Sequence, residues 1–245
     1  MALSSDFKSL QLQIVKSERL YLKVADQLNQ LIVDGVIKPG QRFPSERELA
    51  EQCGVSRPTI REAMIALELS GVIEIRTGSG IYVTEQKIAK QPELLDQGIG
   101  PFEILEIRYI IEAEACALAA ARITEQQLQA LREALQEMTE EEKQADSSEK
   151  ADQKFHSIIA QACQNSAIAA IVNWLWELRN ESQLSTAFLA RIRQEGVHPS
   201  ISDHRKILQA LEQRNPEKAR NAMRIHIENA TTNAANYFND SRAAE

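Results

Sequence analysis

The sequence contains four histidines, and three of them lie in patterns that could hold a metal ion. Asp152 and His156 are four residues apart, so on a helix they project from one face. His204 and His226 each fall on the apolar stripe of a later predicted helix, so both rings are expected to point inward. Three neutral imidazoles and one carboxylate suit Zn²⁺, Ni²⁺ or Mn²⁺. Histidines satisfied as core or helix-terminus residues remain the alternative at this point.

A second set of side chains could contact DNA. Ser56, Arg57, Thr59 and Arg61 stand at the start of a predicted helix that follows Gly54. Arg57 and Arg61 share a helix face, and a guanidinium can make two hydrogen bonds to a guanine edge or clamp a phosphate. The hydroxyls of Ser56 and Thr59 can donate to phosphates. Two solvated surface arginines are the alternative, and the elements around them favour DNA contact.

The elements around these arginines predict a winged helix-turn-helix. An amphipathic helix over 20–33 is followed by a capping box at 45–48 that opens a short helix, and then by the helix over 56–71. Two strand-like runs, with the hairpin tip at Gly78 between them, form the predicted wing over 72–83. In this motif the second helix lies in the major groove, and a glycine at the wing tip lets backbone approach the DNA.

The rest of the chain is predicted to be entirely helical. We expect a DNA-binding domain over 1–84, a linker over 85–100 and an all-α antiparallel helical bundle over 101–245. The expected fold class is therefore mainly α, with one small β-hairpin in the N-terminal domain. The six predicted helices of the bundle cover 101–122, 124–145, 149–164, 166–190, 200–213 and 216–238.

Composition and charge narrow the function further. The 245 residues are enough for two domains, and no apolar run is long enough for a transmembrane helix. The first residues show no basic region followed by an apolar stretch, so no secretory signal is expected. Three widely separated cysteines argue against a disulfide framework, so a reducing cytoplasm is the expected compartment. The net charge is −7, and residues 1–84 are neutral with ten basic and ten acidic side chains. DNA contact must therefore rely on locally placed arginines.

The N-terminal segments resemble a known family of regulators. The sequence PGQRFPSERELA over 39–50, followed by VSRPTIREA over 55–63, is similar to the GntR family of bacterial regulators, and the likeness continues to Val83. Pro58 departs from the family pattern and offers no side-chain donor, so no polar contact is assigned to it. By this resemblance the DNA-contact positions are Arg47, Ser56, Arg57, Thr59, Arg61 and Gly78.

The helical segments resemble the FCD ligand-binding domain of the FadR subfamily. The similar pieces are EIR over 106–108, DQKFH over 152–156, DHRKIL over 203–208 and MRIHIE over 223–228. The resemblance implies a divalent metal, with zinc as the first expectation and nickel or manganese as alternatives. It implies that the ligands are Asp152, His156, His204 and His226.

The same resemblance implies an effector site beside the metal. Arg108 matches a family arginine expected to face a carboxylate effector, and its alternative is an internal salt bridge to Glu112 or Glu114. Short fragments over 100–105 and 165–168 look most like regulators of hexuronate use, so a hexuronate is the expected effector.

These observations together predict a homodimeric repressor that leaves a palindromic operator when its effector binds, with no membrane association. Two alternatives remain open. A metal-dependent hydrolase fused to a DNA-binding module is disfavoured because no general base like the glutamate of His-Glu-x-x-His is visible. An architectural DNA-binding dimer is disfavoured because a pure packing domain gains nothing from buried histidines.

Overall fold

A computed structural model of the chain describes residues 19–85, 96–143 and 149–238. The described residues form ten α-helices and one antiparallel β-hairpin, which confirms the predicted fold class. The N-terminal elements are α1 (Leu20–Val33), α2 (Glu46–Cys53), α3 (Arg57–Leu69), β1 (Ile73–Arg76) and β2 (Gly80–Val83). The later elements are α4 (Pro101–Arg122), α5 (Glu125–Glu141), α6 (Lys150–Ala162), α7 (Ser166–Glu181), α8 (Gln183–Gln194), α9 (Ile201–Glu212), α10 (Pro216–Ala235) and a 3₁₀ turn (Asn236–Phe238).

Local signals in the sequence position the helix-turn-helix. Ser45 and Glu48 form the predicted capping box at the start of α2. Gly54 adopts the left-handed conformation with φ 66°, which ends α2 and turns the chain toward α3. Ser56 then caps α3 by accepting the backbone N–H of Thr59. The turn between α2 and α3 therefore contains one residue that ends the first helix, Gly54, and one that starts the second, Ser56.

The wing is an antiparallel pair of strands, and the helical bundle packs around α4. β1 pairs with β2 in a register that places Ile73 opposite Val83 and Arg76 opposite Gly80. In the bundle, α4 packs against α6, α7, α9 and α10. The face of α4 is rich in small residues, with Ala113, Cys116 and Ala120 fully buried, so neighbouring helices can approach closely.

The predicted helix over 166–190 is wrong, because this stretch forms two helices. Ser182 has extended backbone angles (φ −69°, ψ 118°) and separates α7 from α8. Its hydroxyl accepts the backbone N–H of Ser185 and donates to the carbonyl of Ile99 at 2.7 Å. The break therefore lets one serine cap α8 and also hold the chain that leads into α4.

The DNA-binding elements and the helical bundle share one apolar core. Phe102 of α4, Phe188 of α8 and Phe238 of the terminal turn pack together and join the core built around α3. The Tyr21 hydroxyl donates to the carbonyl of Gly98 at 3.0 Å, which ties the end of the predicted linker to α1. Residues 86–95 of that linker lie outside the described residues. No helix in the described ranges is long and apolar enough to cross a membrane.

Candidate functional site

Asp152, His156, His204 and His226 meet in the middle of the helical bundle. Each residue contributes one potential ligand atom, and these four atoms lie within 4.8 Å of one another. α6 supplies Asp152 and His156 one turn apart, while α9 and α10 each supply one histidine. All four side chains are buried. The structure thus brings together the four residues that the sequence proposed as metal ligands.

Hydrogen bonds on the outer side of two imidazoles identify the nitrogens that face the cluster. Nδ1 of His204 lies 2.8 Å from the carbonyl oxygen of Ser200, and Nδ1 of His156 contacts the Glu112 carboxylate. Both partners are acceptors, so Nδ1 carries the proton in each neutral ring and Nε2 keeps its lone pair. The two Nε2 atoms face Oδ1 of Asp152, at 2.9 Å for His204 and 3.6 Å for His156.

The electrostatics of the cluster favour a positive charge among these acceptors. Burial would raise the pKa of Asp152, but the neighbouring imidazoles of His156 and His204 hold it well below its usual range. Burial lowers the pKa of His226 well below that of a free imidazole, and the neighbouring His204 and His156 lower it further. Burial opposes protonation of His156, but the charges on Glu112 and Asp152 raise its pKa. A proton or a metal ion can supply the missing charge.

Four buried polar atoms without a hydrogen-bond partner indicate whether a metal fits the cluster. Oδ1 of Asp152, Nε2 of His156, Nε2 of His204 and Nδ1 of His226 are buried and make no hydrogen bond. Leaving a buried polar atom unsatisfied costs about 1–3 kcal/mol, so four such atoms converging on one point call for a common partner. An ionised carboxylate and neutral imidazoles are the forms that bind divalent ions. The donor set therefore fits a divalent metal.

Arg108 and Glu112 of α4 form the layer behind His156. Nε of Arg108 donates to Oε1 of Glu112 at 2.6 Å, and both side chains are buried. Burial would raise the pKa of Glu112, but Arg108 and His156 together lower it to about 2. The guanidinium of Arg108 also lies 4.2 Å from the centre of the Trp176 ring. The salt bridge that the sequence offered as the alternative role of Arg108 is present, with Glu112 as its partner.

Arg108 also lines a cavity next to the cluster. The empty space of the cavity, including the part that is open to solvent, is about 780 Å³. Asp152 and His226 of the candidate metal cluster form part of its wall. Its polar wall includes three residues that the sequence analysis left out, Glu149, Arg179 and His198. The remaining wall is formed by Pro101, Ile104, Leu105, Leu189, Ile192, Val197, Pro199, Ser200, Ala230, Asn233 and Ala234. A cavity with two arginines, a candidate metal cluster and apolar sides suits a small anionic molecule.

The candidate DNA-contact residues differ in exposure. Arg47, Ser56 and Arg57 are exposed, and Thr59 is partly exposed. The Thr59 hydroxyl lies 2.9 Å from that of Ser56, and Arg47 pairs with Glu51 on α2. Gly78 is partly exposed in the loop between β1 and β2 and has φ 73°. These five residues therefore reach solvent from α2, from the start of α3 and from the wing loop.

Arg61 is buried instead. Its Nε and Nη2 donate to the two oxygens of Glu46 at 2.6 and 2.8 Å, and its guanidinium lies 5.1 Å from the ring centre of Phe102. Only 10% of the Arg61 side chain is exposed, against 51% for Arg57, which contacts the same Glu46 carboxylate. In this conformation Arg61 joins α2, α3 and α4.

The next residue on α3 reaches the first helix of the bundle. Glu62 is buried and accepts the backbone N–H of Glu103 in the first turn of α4 at 3.0 Å. Burial raises the pKa of this carboxyl to about 8, although the bond from Glu103 opposes the shift. A Cβ at Gly100 would lie 2.0 Å from the Glu62 carboxyl carbon. The recognition helix and α4 are therefore in direct contact.

The chain resembles known proteins in both its N-terminal and its helical segments. Residues 20–83 match the family "Bacterial regulatory proteins, gntR family", and residues 103–229 match the "FCD domain". The chain is 34% identical to the "Uxu operon regulator" of Haemophilus influenzae over 213 residues, which cover 86% of this chain and 80% of that protein. It is 37% identical to the "Exu regulon transcriptional regulator" of Escherichia coli K12 over 223 residues, covering 89% of this chain and 85% of that protein.

A further relative is the "Uxu operon transcriptional regulator" of Escherichia coli K12. It is 32% identical over 232 residues, which cover 91% of this chain and 90% of that protein. All three relatives are named as regulators. These names and the two matched families confirm the prediction of a DNA-binding regulator rather than an enzyme.

Proposed function

Because this chain belongs to the GntR family of bacterial transcriptional regulators and carries their FCD domain, we propose that it is a repressor controlled by a small carboxylate. The observation that carries the proposal is the Asp152, His156, His204 and His226 cluster, which opens with Arg108 onto one cavity. The relatives named for the Uxu and Exu systems of hexuronate utilisation make a hexuronate the first candidate effector.

The metal is assigned to the four residues of the cluster. Zinc is the first candidate because three imidazoles and one carboxylate suit it, and nickel or manganese are the alternatives. When bound, the ion supplies positive charge and open coordination positions for an oxygen ligand. Glu112 holds the His156 ring in the orientation that turns Nε2 toward the cluster. Ser200 does the same for His204 through its carbonyl.

The effector is assigned to the cavity beside the metal. Arg108 keeps its Nε on Glu112, so the edge that carries the terminal nitrogens is the part of the guanidinium suited to a carboxylate. The apolar residues of the wall exclude water and strengthen that charge-assisted contact. Arg108 lies on α4 only five residues after Glu103, whose backbone contacts Glu62 of α3. Ligand binding at Arg108 can therefore affect α3 through the first turns of α4.

Operator binding is assigned to the domain over 1–84. Arg47, Ser56, Arg57, Thr59 and Gly78 form its exposed contact surface, and Arg61 supports it from below. The linker over 85–100 then leads to the effector-binding domain over 101–245. We expect the protein to act in the cytoplasm, where its operator DNA lies.

We further propose that two copies bind a palindromic operator, since two-fold symmetry matches two half-sites. Ile107 and Ile110 of α4 and Ile171 and Trp174 of α7 are large apolar side chains that are at least 36% exposed. α4 and α7 pack side by side, so these residues give the dimer an apolar surface.

The proposal is tested by elemental analysis and by thermal unfolding with added acids. Purified protein should contain about one divalent ion per chain, and galacturonate, glucuronate or fructuronate should raise its melting temperature because a ligand that binds only the folded state stabilises it. Protein that takes up no metal after reconstitution, or that no carboxylic acid stabilises, contradicts the proposal. The second outcome would favour an architectural role.

A further inference from the structure

Glu149 is the most unusual residue of the cavity wall. It precedes α6, the helix that carries Asp152 and His156, and its backbone is left-handed with φ 53°. A residue other than glycine pays about 1–3 kcal/mol for such a conformation, and this cost often marks a functional site. The side chain of Glu149 makes no capping bond to α6, so helix capping does not offset the cost.

The Glu149 carboxylate is instead directed toward two arginines from other helices. Oε2 contacts Nη2 of Arg179 on α7, while Oε1 lies 3.8 Å from Nη1 of Arg193 on α8, a distance beyond hydrogen-bond length. Glu149 is 6% exposed and lines the same cavity as Arg108 and Asp152. The Glu149 carboxylate is therefore buried, is oriented by Arg179 and can accept further hydrogen bonds from a molecule in the cavity.

Trp176 fixes the spacing between the two cavity arginines. Its fully buried ring lies 4.2 Å from the guanidinium of Arg108 and 4.9 Å from that of Arg179. Arg108 pairs with Glu112 behind the candidate metal cluster, while Arg179 pairs with Glu149. One buried ring thus contacts both arginines that line the cavity.

We propose that Glu149, oriented by Arg179, accepts hydrogen bonds from the chain hydroxyls of a polyhydroxylated monocarboxylic acid and makes the cavity selective for such acids. The inference rests on the proposed function, in which the carboxylate of the same molecule lies at Arg108 and the cluster. A site that hydrogen-bonds a hydroxyl group discriminates strongly against an analogue without it, because its buried polar group is then left unpaired. Glu149 would also repel a second carboxylate.

The test is calorimetric titration of the full, metal-loaded protein with galacturonate, lactate and galactarate. Lactate retains the carboxylate and the α-hydroxyl but lacks the rest of the chain, and galactarate adds a second carboxylate. Wild-type protein should bind galacturonate at least tenfold more tightly than either of the other acids. In Glu149→Gln, galacturonate should bind at least tenfold more weakly, its preference over galactarate should fall, and metal content should be unchanged.

Two further variants separate recognition from folding. Glu177→Gln makes the same change at an exposed position of α7 and should bind all three acids like the wild type. Glu149→Asp keeps the charge, tolerates the left-handed backbone and should retain part of the preference for galacturonate. An unchanged galacturonate affinity in Glu149→Gln overturns the inference, and so does a loss of metal along with affinity. Wild-type protein that binds none of the acids contradicts the proposed function itself.

Discussion

At the scale of single residues, the candidate metal centre is defined by what surrounds each imidazole as well as by the ligands. Glu112 and the carbonyl of Ser200 fix two rings so that Nε2 faces the cluster. The sequence predicted the four ligands from helical spacing and family resemblance. It could not predict the contact between the Ser200 carbonyl and His204, because the position of a backbone carbonyl depends on the fold and not on the residue type. It offered Glu112 only as a partner for Arg108.

The first prediction concerns the ligands. His204→Ala or His226→Ala should remove most of the bound metal and lower the melting temperature in metal-containing buffer, because metal binding stabilises only the folded state. Elemental analysis and calorimetry measure both effects. His198→Ala is the matched control, since His198 lines the cavity but is not part of the cluster. Equal metal content in all three variants would reject the site.

The second prediction separates the two arginines of α3. Arg57→Ala should weaken operator binding by about 1–3 kcal/mol and leave stability nearly unchanged, because its side chain is half exposed. Arg61→Ala should lower the free energy of unfolding by up to about 3–5 kcal/mol, since it leaves Glu46 buried with one cation fewer. Gel-shift titration and denaturant unfolding measure the two effects. Equal stability losses in both variants would be inconsistent with this division of roles.

The third prediction concerns Glu62, whose pKa is raised to about 8 by burial. Between the unfolded pKa of 4.5 and about 8, the folded protein holds a proton that the unfolded chain has released, so stability falls as pH rises. In the Glu62→Gln variant, this decrease of stability with rising pH should be absent. Its melting temperature relative to wild type should rise by roughly 10 °C between pH 5 and pH 8. A constant difference across this range would contradict the burial of an ionisable Glu62.

At the scale of elements, the sequence predicted helix starts better than helix ends. The capping boxes at Ser45 and Thr124 and the cap at Ser56 are local hydrogen-bond patterns, and all three are present. The break at Ser182 was missed because its cause is tertiary. The serine hydroxyl donates to the carbonyl of Ile99, which is 83 positions away in the chain. Such a contact leaves no periodic signature around Ser182.

α4 is the element that connects the candidate metal cluster to the helix-turn-helix. Its first turn contacts Glu62 of α3, and its middle carries Arg108 and Glu112. The sequence predicted the helix over 101–122, but it could not predict which helix of the N-terminal domain would contact its first turn. That contact requires the absence of a side chain at Gly100.

The fourth prediction therefore targets Gly100. Its φ of −70° is one that alanine adopts readily, so Gly100→Ala tests only the close approach of Glu62. The added methyl group should reduce the free energy of unfolding by about 1–3 kcal/mol, the usual cost of overpacking. In the double variant with Glu62→Ala most of this added cost should disappear. Additive losses in the double variant, measured by denaturant unfolding, would show that the two residues are not in contact.

At the scale of the whole molecule, regulation requires that the acid favour one arrangement of the two domains over another. The shared core of Phe102, Phe188 and Phe238 holds the DNA-binding elements against the bundle. Arg61 and Glu62 are both buried at that junction. An acid that binds the DNA-free arrangement more tightly releases the operator, and a coupling of about 1–3 kcal/mol changes affinity about 5- to 150-fold. The family resemblance predicted the sensor, while the direct contact between α3 and α4 appears only in the folded chain.

The most direct test of this account is the affinity of the full protein for an operator selected from random-sequence DNA, measured with and without acid. Galacturonate, glucuronate and fructuronate should be compared with lactate, using metal-loaded and metal-stripped protein. At least one hexuronate should weaken operator binding fivefold or more in the loaded protein, and stripping the metal should abolish the response. Operator affinity that none of these acids changes, in protein shown to contain metal, would contradict the central claim.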